Sequence, residues 1–167
     1  PDTSHNGPMD GSDAFNTKLA TTQTCKGKPV THLGTEGDDT IATESGDDVV
    51  LALGGNDTIT TQGGRDTICA GDGNDKIRAG SGKDLVLGED GNDKILAQGG
   101  PDRANGGKGK DLVKGGSGKD RLNGGPGKDK VKGQGGSDKL IGGSGKDFCH
   151  QGGGTDRARK CERGPAA

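Results

Sequence analysis

From Ile41 to Ala158 an apolar residue returns at every ninth position, with mostly polar or charged residues on either side of it. An alternation confined to three residues, x-U-x with U apolar, predicts a very short strand whose middle side chain points inward. The six residues between successive triplets are dominated by Gly, Asn, Ser and Asp, which supply the tight turning and positive φ of a loop. Each nonapeptide therefore reads as one turn plus one strand, and two of them make one flattened coil. Residues eighteen apart should stack along the axis at about 4.8 Å. The U residues then sort into two ladders. One runs Ile41, Ile59, Ile77, Ile95, Val113, Val131, Cys149; the other runs Val50, Ile68, Val86, Ala104, Leu122, Leu140, Ala158. Ile and Val dominate the first, as suits stacked parallel strands. The predicted fold is all-β, a parallel β-roll of about seven two-strand coils and roughly 34 Å long.

Aspartate keeps the same register two residues before each U: Asp39, Asp48, Asp57, Asp66, Asp75, Asp84, Asp93, Asp102, Asp111, Asp120, Asp129, Asp138, Asp147 and Asp156. A glycine stands two residues before every one of them, from Gly37 to Gly154. The unit is cleanest in residues 115–123 and 142–150, which both read G-G-x-G-x-D-x-U-x. Over residues 34–159 the chain resembles the RTX, or haemolysin-type, calcium-binding nonapeptide family. The resemblance implies a right-handed β-solenoid with calcium between successive loops, held by the fourteen aspartates.

Elementary energetics lead to the same ion. Fourteen small apolar side chains cannot offset the conformational entropy of ordering the array. Stacked aspartates about 5 Å apart add repulsion, which a divalent cation between loops would reverse. Carboxylates and loop carbonyls offer only oxygen, and the loops carry no His or Cys, so the donor set selects a hard cation of calcium type over zinc or copper. Magnesium is disfavoured because it wants a small octahedron and keeps its waters. Calcium binding and folding are expected to be one event, with up to about twelve ions if every inter-loop gap is filled. Without the strict period, 37 glycines and a mean hydropathy of -0.87 would read as a disordered polar tract.

Four cysteines, Cys25, Cys69, Cys149 and Cys161, lie two toward each end of the array. Three connectivities are possible, and Cys25–Cys69 with Cys149–Cys161 is the expected one, each pair fastening one end. An even count in a calcium-dependent chain points to an oxidising, extracellular setting, and the arrangement resembles small cysteine-bearing secreted members of the family from actinobacteria. No apolar signal core or membrane-spanning run is present, so any export signal is expected to have been removed or left out. The domain reading is a flexible N-terminal leader over residues 1–24, a degenerate cap turn over 25–33, fourteen repeats over 34–159, and a C-terminal cap and tail over 160–167. In the cap turn, Val30 stands at the aspartate position and His32 at the U position.

The net charge of -2 conceals an asymmetry. Residues 1–100 carry 8 Lys/Arg against 17 Asp/Glu, giving -9, whereas residues 101–167 carry 15 against 8, giving +7. Lys76, Arg78, Lys94, Lys114, Lys130 and Lys132 are expected outward on one sheet, and Arg103, Arg121, Lys139 and Arg157 on the other. Once loop aspartates are neutralised, the C-terminal half could meet an anionic polysaccharide or wall polymer through Lys76, Arg78, Lys94, Lys114, Lys130 and Lys132. The bland alternative is a solvated surface that offsets aspartate charge and blunts sheet edges. Nucleic acid is disfavoured because Phe15 and Phe148 are the only aromatics available for stacking.

Catalytic readings fail on inventory. His5, His32 and His150 form no H-E-x-x-H pair, and the Gly-Ser-Gly-Lys steps complete neither a nucleophile elbow nor a P-loop. The 33 residues before the array are too few for an enzyme domain. An ice-binding face is disfavoured because outward threonines stop after Thr67. The expected protein is a secreted, monomeric, non-catalytic calcium-binding module.

Overall fold

Glycine-rich turns alternating with short β-branched triplets build a solenoid of about seven turns in the computed structural model, which describes residues 23–162. Most of the leader expected over residues 1–24, and residues 163–167 of the expected tail, lie outside the described residues. No helix occurs among those described. Two parallel sheets face each other, and every pairing along them is offset by eighteen residues. One carries Ile41, Ile59, Ile77, Ile95, Val113, Val131 and Cys149 as successive partners. The other carries Val50, Ile68, Val86, Ala104, Leu122, Leu140 and Ala158, with His32 pairing Val50 at its N-terminal end.

Both ladders point into one apolar core, in which Ile59, Ile68, Val86, Ile95, Val113 and Leu140 are fully buried. Burial fails only at the ends, where a rung has one neighbour. Ile41 and Cys149 are half-buried, and Ala158 is exposed.

Strands are longer than the expected three residues. In the middle of the rod they run for six, as in Leu85–Asp90 and Lys94–Gly99. The three positions after x-U-x stay in the ladder because the neighbouring coil bonds their backbone, pairing Glu89 with Gly107 and Gln98 with Gly116, although Glu89 and Gln98 turn to φ +78° and +80°. Extension creates a second inward position two residues after each U. Ala52, Ala70, Ala79 and Ala97 fill it with buried methyl groups, whereas glycine stands there at 88, 106, 115, 124, 133 and 142.

A second, smaller apolar cluster sits outside the solenoid. Thr24–Cys25 and Lys28–Pro29 pair as an antiparallel hairpin, and Cys25 and Val30 are buried against Val49, Cys69 and Leu87 on the outer face of the Val50–Ala158 sheet. These strands are apolar on both faces, as Val49-Val50-Leu51 and Leu85-Val86-Leu87 read, so their outer side needs a cover. A disulfide between Cys25 and Cys69 fastens the hairpin to that face, with Cα atoms 5.9 Å apart. Cys149 and Cys161 form the other disulfide, at the C-terminal end of the core. Both pairings match the expectation.

Candidate metal centre

Each loop ends on its aspartate just where the chain enters the next strand, so the eighteen-residue stacking superimposes every second carboxylate. Each side chain then does something the spacing alone did not reveal. Its Oδ1 accepts the backbone N–H of the aspartate one coil earlier. The bonds run without a break from Asp39 N to Asp57 Oδ1, 2.8 Å, through to Asp138 N to Asp156 Oδ1, 2.8 Å. Aspartate is short enough to make this bridge rigid, and it secures a backbone donor that the turn would otherwise orphan.

The second oxygen has no such explanation. Asp57, Asp66, Asp75, Asp84, Asp93, Asp102, Asp111, Asp120, Asp129, Asp138, Asp147 and Asp156 each hold Oδ2 buried and without a hydrogen-bond partner. Eleven of these side chains, Asp57 to Asp147, are at most 2 % exposed, and Asp156 is half-buried. One unpartnered polar atom per hundred residues would be ordinary; a complete row of charged ones calls for a counter-charge.

What surrounds these atoms is further oxygen. A Cβ built on Gly124 would lie 2.5 Å from both Asp129 Oδ2 and the Gly142 carbonyl oxygen of the following coil. The glycine thus keeps open a small cradle between two oxygens. Gly88, Gly106 and Gly133 stand in the same relation to Asp93, Asp111 and Asp138. Among the described residues no three His, Cys, Asp or Glu side chains converge on one point. A cation here would have to be held by one or two carboxylates supplemented by main-chain carbonyls. That donor set fits a hard, oxygen-seeking ion with flexible coordination, and suits zinc or copper poorly.

Two aspartates at the N-terminal end differ. Asp39 is half-buried, and its Oδ2 accepts the Thr35 N–H at 2.6 Å and the Thr35 hydroxyl at 3.0 Å. Asp48, also half-buried, lies 3.6 Å from His32 Nδ1 and accepts a long hydroxyl bond from Thr31. No preceding coil stacks on either, so side chains of the first turn take the place of a loop.

Electrostatics mark the middle of the row. Burial, partly opposed by the backbone hydrogen bond and reinforced by the neighbouring carboxylates, pushes Asp93 and Asp102 up to about 7. The same causes raise Asp75, Asp84, Asp111 and Asp120 to about 6. A carboxyl whose folded-state pKa is raised contributes stability that is complete below its unfolded value near 4 and lost as pH rises through the folded one. The metal-free coil is therefore expected to gain strand signal between about pH 7 and pH 4. Far-ultraviolet circular dichroism in chelator across that range is the check, and a metal-free strand signal that grows with rising pH would contradict it.

A family model described as the RTX calcium-binding nonapeptide repeat (4 copies) matches residues 33–68, 60–95, 70–103, 96–131 and 123–158. No curated protein matches the chain.

Proposed function

The chain belongs to the RTX calcium-binding nonapeptide repeat family, and from that premise we propose that it is an extracellular, non-catalytic module whose β-roll assembles only as its loops take up calcium. Repeats of this family bind calcium and are generally structural or binding rather than catalytic. The observation that carries the reading is the row of buried Oδ2 atoms from Asp57 to Asp156 with no partner in the protein. Bound calcium supplies the positive charge that these carboxylates and the adjacent loop carbonyls lack. The chain's own part is to place one carboxylate per loop and to fix its orientation through Oδ1. Beside Asp93, Asp111, Asp120, Asp129 and Asp138 it also leaves glycine at the position that alanine fills before Asp57, Asp75, Asp84 and Asp102. Asp39 and Asp48 belong to the proposed set as weaker members, since Thr35 and Thr31 already engage them.

Coupling follows from the balance of forces. The core consists of one medium-sized side chain per nine residues and some alanine, and the carboxylates repel one another at coil spacing. Neither the cradle nor the core exists in the unfolded chain, so the free energy of ion binding is folding free energy. Secretion is supported by the two disulfides, which persist in oxidising compartments.

The test combines circular dichroism with calorimetry. In chelator at pH 7.5 the chain is expected to show little strand signal, to gain it cooperatively in millimolar calcium, and to bind about twelve ions. A full strand spectrum in chelator at that pH would refute the coupling, and a stoichiometry of one or two ions would refute the assignment of the row.

A further inference from the structure

The outer face of the Val50–Ala158 sheet is divided. Its N-terminal half lies under the Cys25 hairpin, whereas its C-terminal half is bare among the described residues. On the bare half Arg103, Arg121, Lys139 and Arg157 are successive partners in one strand register, all exposed. Facing them from the loop edge are Lys83 and Lys119, and between the two rows runs a groove of about 610 Å³.

None of these six cations has an anionic partner within the described residues, where the ion pairs are His32–Asp48 and Lys108–Asp90. The acidic residues in the groove, Asp102, Asp120 and Asp138, are buried, and each has one oxygen committed to the preceding coil. Like charges opposite one another on neighbouring strands are destabilising, so the cation row costs the fold something that an external anion would return. The groove continues through Lys83 and Arg103 toward Arg65 and Lys28 in a further segment of about 380 Å³, where the exposed Asp47 sets the anionic limit of the cationic stretch, and its long direction runs along the rod.

We propose that this groove binds a linear acidic polysaccharide lying along the solenoid axis. Its occupant has to be extended and repetitively anionic, because the cations recur once per coil, at about 4.8 Å. No aromatic side chain lines the groove, so nucleic-acid bases find no stacking platform. The opposite sheet is less suited. Leu96 interrupts the row from Arg78 to Lys114, and Leu112 the row from Lys94 to Lys130. The hollow there is only about 70 Å³. The inference rests on the proposed function in one respect: calcium on the loop carboxylates removes the negative charge beneath the groove.

The experiment measures binding of a fluorescein-labelled heparin oligosaccharide by anisotropy in millimolar calcium, with strand content of every sample recorded by circular dichroism. Arg103→Gln/Arg121→Gln/Lys139→Gln is expected to weaken binding about tenfold or more. Lys76→Gln/Lys94→Gln/Lys130→Gln should stay within about twofold, and affinity should fall log-linearly with salt. Equal weakening by both triple variants would overturn the groove in favour of diffuse attraction. Single-stranded oligo(dT) bound as tightly through the same residues would overturn the polysaccharide as occupant. If calcium induces no strand signal, the proposed function falls, and the groove stands or falls separately on whether the first triple variant alone weakens binding.

Discussion

Gly109→Ala is expected to split the rod, replacing one cooperative unfolding transition by two and costing about 4 kcal/mol or more in saturating calcium. Gly109 has φ +131°, a region that residues with a Cβ enter only at a cost of about 1–3 kcal/mol. The added methyl would also sit inside the envelope of the Gly91 carbonyl oxygen one coil earlier. Main-chain atoms cannot rotate aside as a flexible side chain would, and the coils cannot easily part. Asp93 N–H is tied to Asp111 Oδ1 at 2.8 Å, and Gly91 N–H to the Lys108 carbonyl at 2.8 Å. Because each coil touches only its neighbours, a wedge at one interface leaves two half-rods that melt independently. Gly99→Ala is the matched control. A Cβ there would meet Ser117 Oγ at 3.6 Å, an ordinary contact, and the change should fall within about 1 kcal/mol. Urea unfolding followed by circular dichroism distinguishes the two, and a Gly109→Ala chain that unfolds like the parent would mean that the coils are not stacked this tightly.

Asp93→Asn is expected to change the sign of its effect with calcium. The amide keeps an oxygen to accept the Asp75 N–H, which Oδ1 does at 2.9 Å, so the bridge between coils survives. What is lost is the charge on a carboxylate that burial and its neighbours hold up to about 7. In chelator at pH 8 that loss relieves a buried, unpartnered anion. The new NH2 can donate toward the Gly106 carbonyl, with which Oδ2 shares the space beside Gly88, and a gain on the order of 1 kcal/mol is expected. In calcium the same change removes one partner of a buried ionic contact and should cost about 3 kcal/mol, moving the calcium midpoint of folding upward. Circular dichroism reads the first sign as an upward shift in the pH midpoint of strand formation in chelator, and the second as an upward shift in the calcium midpoint at pH 8. A change of stability in one common direction, with and without the ion, would show that the carboxylate serves the fold only through Oδ1.

These two substitutions separate what the period reveals from what it hides. The glycine two residues before each aspartate is legible from spacing, and so is the stacking of Ile59 on Ile77 or Val113 on Val131. Repetition forces that register, because a slip of one residue would turn every inward side chain outward. The cysteine pairing was legible for a similar reason, since Cys25 and Cys69 lie near one end of a rod and Cys149 and Cys161 near the other. The bond from each aspartate back to the preceding coil was not. A carboxylate at coil spacing reads equally well as a ligand, a cap or a bridge, and only the distance from Oδ1 to the earlier N–H decides among them.

The chain's own order of residues determined a nine-residue unit, an eighteen-residue coil, two inward ladders and one carboxylate per loop, because each is a property of local alternation repeated without a slip. Tertiary structure decided the rest. It carried the strands on through two glycine positions, since the neighbouring coil offers those backbones partners. It laid the Cys25 hairpin over Val49 and Leu87, whose outward apolar side chains announce that something must cover them but not which segment does. It also aligned Arg103, Arg121, Lys139 and Arg157 beside Lys83 and Lys119, a meeting of strand and loop edge that depends on how the coil closes in space.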